Sequence, residues 1–186
     1  MKTSLLIISL LSFSAYGAER NESTHCKDHE DIVFSCQIGK KILSVCASGK
    51  TRPSQSIEYR YGTKEKIEMT YAANNSNKNR FHALSETIDP KENVNELWFG
   101  IGGTEYVVTS CVGGNCRHTA GLIVFKKKNN LEKVIMSKGC EYSSSGYNSF
   151  SSDIVDFDNE RSLSDLVIYG EGGFDLESLY PTKRVN

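Results

Sequence analysis

The sequence predicts an all-β domain of mainly antiparallel hairpins, a sandwich or small barrel with at most short helices, braced by disulfides. Three observations carry that expectation. Short apolar runs flank glycine-containing turns, as residues 32–36 and 42–46 do around Gly39. Apolar residues alternate with polar ones, as Ile57, Tyr59 and Tyr61 do with Glu58 and Arg60, the period of a half-buried strand. No stretch sustains the helical period, so any helix is short.

The elements follow in chain order. Residues 1–17 carry one charge, Lys2, then an apolar run over 5–13, then Ala15 and Gly17 where a signal peptidase needs small residues. We expect a signal peptide cleaved after Gly17, a polar tether over 18–31 pinned by Cys26, and a single β-rich domain over 32–186. Within it, 32–36 and 42–46 form a first predicted hairpin, and 57–61 and 67–71 a second. Residues 72–95 read as a polar loop, with a short helix over 83–88. Strand signals return at 97–101 and 105–109 around Gly102-Gly103, a tight-turn pair. They recur at 122–125, 134–136 and 166–169, and a second short helix is expected over 174–179.

Composition excludes several classes. The chain has 186 residues, about the length of one domain. Its 22 basic and 23 acidic residues give a net charge of −1, without electrostatic support for generic nucleic-acid binding. The apolar run at 5–13 falls short of the ~20 residues of a membrane span, so no transmembrane span is expected in the mature chain. Lys126-Lys127-Lys128 reads as a solvated turn or a protected sheet edge.

Cys26, Cys36, Cys46, Cys111, Cys116 and Cys140 all follow the expected cleavage point. In an oxidising, periplasmic or secreted location, an even set pairs by default. Sequence alone cannot choose among the pairings, but local geometry ranks Cys36 with Cys46 across the first hairpin. Cys111 and Cys116 flank a short flexible loop, which leaves Cys26 with Cys140. The rival is metal, at His25-Cys26-Lys27-Asp28-His29 or at Cys111, Cys116 and His118. Structural zinc needs a second, matched cysteine pair, and none has that spacing.

Phe34-Ser35-Cys36, Gly39-Lys40-Lys41 and Ser44-Val45-Cys46-Ala47-Ser48, followed by Tyr59-Arg60-Tyr61-Gly62, carry a resemblance. So do the Gly-Gly strand ending in Tyr106, Ala120-Gly121 and the single later Cys140. Together they resemble a group of small exported bacterial proteins without an established activity, over residues 30–140. The resemblance implies a bacterial origin and a periplasmic or secreted location, and it brings no catalytic residues.

Candidate chemistry is sparse. No G-x-S-x-G elbow is present, paired cysteines leave no thiol nucleophile, and no catalytic residue is assigned. His82 and His118 read as surface histidines. Asp156, Asp158, Glu160 and Asp165 resemble a calcium loop, but Arg161 stands where the turn needs glycine, so a solvated acidic turn is favoured and no cofactor is expected. Tyr142, Tyr147 and Phe150 lie among serines and glycine, a composition suited to protein recognition. A Ser145-Gly146 pair resembles the S-G-x-x-Y loop of bacterial lysozyme inhibitors, but Ser149 replaces its tyrosine. The reading favoured is an exported binding module whose partner is another protein, a toxin or a wall-degrading enzyme. The alternatives are a periplasmic hydrolase working through Asp and Glu carboxylates, with or without a cation, and a structural envelope component.

Overall fold

The structure is a computed structural model and describes residues 23–48, 56–89, 92–113, 120–128, 131–141, 150 and 166–169. The described residues form strands and no α-helix. Ten strands succeed one another: β1 (Glu30–Ile38), β2 (Lys41–Ser48), β3 (Ser56–Thr63), β4 (Ile67–Asn74), β5 (Phe81–Asp89), β6 (Glu92–Ile101), β7 (Thr104–Gly113), β8 (Ala120–Lys128), β9 (Leu131–Gly139) and β10 (Val167–Tyr169).

They make a four-stranded sheet, β1-β2-β3-β4, and a six-stranded sheet, β10-β5-β6-β7-β8-β9. All pairings are antiparallel except β10 with β5, and the sheets do not close into a barrel. Period-two alternation turns one face of each sheet inward. Phe34, Leu43, Val45, Ile57 and Tyr59 from the first sheet meet Phe81, Leu97, Phe99, Val108 and Leu122 from the second. Tyr71 stacks on Phe99 with centroids 4.1 Å apart, and Phe99 stacks on Tyr106 at 5.1 Å. Such faces and edges add to the area term of burial. The outward face of the second sheet carries its own buried cluster, Val94, Trp98, Val107, Ile123 and Phe125. His82 lies stacked on Trp98 at 5.3 Å.

Two expectations are corrected. Residues 83–88 are strand, and the expected polar loop over 72–95 is in large part β4, β5 and β6. Ala83, Leu84 and Glu86 favour a helix locally, but Phe81 and Ala83 bury fully on the core face and β5 finds a ladder partner in β6. Tertiary pairing outweighs intrinsic preference. The helix expected over 174–179 lies outside the described residues.

The second correction concerns sulfur. Cys26 bonds Cys46, with Cα atoms 5.4 Å apart, and Cys36 bonds Cys140, at 5.7 Å. The ranked pairing of Cys36 with Cys46 fails on register and on facing. Cys36 stands opposite Leu43, and Cys46 stands opposite Ile32. Cys36 shares the core face with Phe34, whereas Cys46 follows Ser44 on the outward face. Cys111 is also disulfide-bonded, and Cys116 lies outside the described residues.

Candidate functional site

Among the described residues, Glu96 and Thr109 are buried opposite each other on the outward face of the second sheet, and two further places carry polar chemistry. The first is the outward face of the first sheet, where residues 23–29 lie as a strap. The His25 backbone N–H donates to Ser44 Oγ at 2.9 Å, and Ser35 Oγ donates to the Ser23 carbonyl at 3.0 Å. Arg60, only 3% exposed, anchors the strap from below. Its Nη1 donates to the His25 carbonyl at 2.8 Å, and its Nη2 donates to Glu30 Oε1 at 2.7 Å and Glu58 Oε2 at 2.6 Å. With Nη1 also on Glu30, the guanidinium grips that carboxylate with both arms. Burial raises the Glu30 pKa, but the bonds from Arg60 and the Lys27 backbone outweigh it and hold it below the usual carboxylate value.

This arrangement is a structural clasp. Donor atoms of Cys26, Cys46 and Glu30 lie within 4.8 Å of one another, as a metal site would need. The two sulfurs are bonded to each other and Glu30 is taken by Arg60, so the residues as they stand offer no thiolate and no free carboxylate. The His25 ring contacts the Gly62 carbonyl through Nε2 at 3.3 Å.

The second place lies between the sheets. On the core face of the second sheet, Ser85 stands opposite Asn95, Asn95 opposite Ser110, and Ser110 opposite Ala120. Alternation from Ala83, Leu97 and Val108 sets these polar residues inward. Cys140 donates its backbone N–H to the Ala120 carbonyl, and its sulfur bonds Cys36. The Glu141 N–H donates to the Gln37 carbonyl at 2.8 Å. These links join the Cys36 end of the row Cys36, Leu43, Tyr61 and Met69 in the first sheet to the Ala120 end of the polar row.

Exposure along both rows rises in one direction. Ser110 and Leu43 are fully buried, whereas Asn95, Ser85, Tyr61 and Met69 are half-buried. The sheets are laced at the β1 and β9 edges by the Cys36–Cys140 bond and meet again at β4 and β5, where the Tyr71 ring packs edge-on against Phe81 at 5.1 Å and its hydroxyl donates to the Arg80 carbonyl at 2.9 Å. Asn93 continues the polar row, half-buried, and accepts a hydrogen bond from Ser85 Oγ at 3.2 Å. Lys41 Nζ sits 5.1 Å from the Tyr61 ring centroid and pairs with Glu68 at 2.6 Å. The Ser110 and Tyr59 hydroxyls are buried without a hydrogen-bond partner.

Of the residues singled out from sequence, Phe150 is 7% exposed and packs on Phe34 at 5.1 Å, so its ring serves the core. Tyr142, Tyr147, Asp156, Asp158, Glu160 and Asp165 lie outside the described residues, as does His118. Neither Arg60 nor the polar row was singled out. The row had a signal: the inward parity of Leu97 and Phe99 runs back to Asn95 and Asn93, and that of Val108 runs on to Ser110. No family model, curated protein or solved structure matches this chain.

Proposed function

We propose that the chain is an exported binding module of the inhibitor or immunity kind, acting on a toxin or wall-degrading enzyme outside the cytoplasm. The observation that carries this reading is the bracing. One disulfide fixes the strap to the first sheet, and another fixes the first sheet to the end of β9. A scaffold ordered before it meets its partner loses little conformational freedom on binding. Disulfides also suit an oxidising compartment, and no described helix is long and apolar enough to cross a membrane. At the end of the β3–β4 hairpin, Lys64, Glu65 and Lys66 are exposed beside Ile67, which is 42% exposed. A charged rim around an apolar contact is the composition of a protein interface.

The test is inhibition. Purified, oxidised chain is added to muramidases and wall-targeting amidases in a cell-wall lysis assay. Stoichiometric loss of lysis for one of them supports the reading, and Ile67→Asp with Lys66→Glu relieves the inhibition. Unchanged lysis by every enzyme, together with no protection of cells expressing periplasmic toxins, overturns it.

A further inference from the structure

We draw no further inference here: the strongest candidate, the apolar patch of Trp98, Val107, Ile123 and Phe125 on the outward face of the second sheet, is buried, and nothing among the described residues shows what covers it.

Discussion

Arg60 shows how a single side chain can hold a segment that has no ladder of its own. The strap over 23–29 owes its place to side-chain bonds and one disulfide, and one guanidinium holds both the His25 carbonyl and the Glu30 carboxylate that takes the Lys27 N–H. Removing that cation leaves Glu30 with its side chain only 9% exposed and facing Glu58. Breaking such a pair costs about 3–5 kcal/mol, because a charge stays buried without compensation. Arg60→Met should therefore lower the urea midpoint strongly at neutral pH. The pH dependence follows from Glu30, whose folded pKa the Arg60 bonds hold below the usual carboxylate value. That depression stabilises the fold above the unfolded value and is lost as pH falls through the folded one. In Arg60→Met the carboxyl protonates more readily, so the gap to the parent should narrow as the buffer goes from about pH 7 to about pH 3. A constant gap would mean that Glu30 is not the group responsible. Tyr59 makes the opposite case. Its hydroxyl is buried and unpartnered, and burial pushes its pKa up. Tyr59→Phe removes an unsatisfied group and keeps the ring on Phe99 at 4.9 Å. We expect unchanged stability or a gain of up to about 1 kcal/mol by urea titration, and a loss larger than that would reveal a partner for the oxygen.

At the scale of the strand, the irregularities have a pattern. Four pairings shift register, and the unpaired residues are Val33 in β1, Glu68 in β4, Ile88 in β5 and Ile135 in β9. Strands β1, β4 and β9 are sheet edges, and β10 covers β5 only from Phe81 to Ala83. The interior pairings β2–β3, β6–β7 and β7–β8 run without a shift. A bulge twists an edge and spoils the straight row of N–H and C=O groups that another chain would need. Exposed Lys133 and Lys138 on β9 add charge to the same end. The β4 bulge has a requirement across the ladder. A Cβ on Gly62 would come within 2.2 Å of the Lys66 carbonyl oxygen and 2.7 Å of the Glu68 nitrogen. Both neighbours are backbone, so they cannot rotate away. Gly62→Ala should lower stability by about 1–3 kcal/mol by denaturant titration, and wild-type stability in that variant would show that the bulge can relax. The hairpins around Gly39 and Gly102-Gly103 were legible because the turn glycines take positive φ, +60° at Gly39 and +57° at Gly102. Strand β5 was not, because its inward face fades from Phe81 and Ala83 to Ser85 and loses the apolar half of the alternation.

For the whole molecule, what sequence could show was the fold class, and what it could not show was which faces meet. Alternation assigns a residue to a face of its own strand. Only register and sheet stacking bring Cys36 to Cys140, or lay Tyr71 on Phe99. The two disulfides consequently differ in reach. Cys26–Cys46 closes a separation of 20 residues and holds a strap, whereas Cys36–Cys140 closes 104 and laces the sheets together. In the chain-entropy account, the longer closure restricts the unfolded chain by about 4.7 kcal/mol and the shorter by about 3.3 kcal/mol. The double variant Cys36→Ala with Cys140→Ala should therefore lose about 1.4 kcal/mol more than Cys26→Ala with Cys46→Ala, measured by guanidinium unfolding under non-reducing conditions. Local effects push the same way. Cys36 lies in the inter-sheet core, so its loss leaves space there, and β9 retains its ladder only to β8. The Cys26 pair sits over Arg60 and its carboxylates, which continue to hold the strap after the sulfurs are gone. Equal losses in the two variants would show that closure length does not govern this fold. A larger loss for the strap bond would place the weight of the scaffold on its N-terminal clasp.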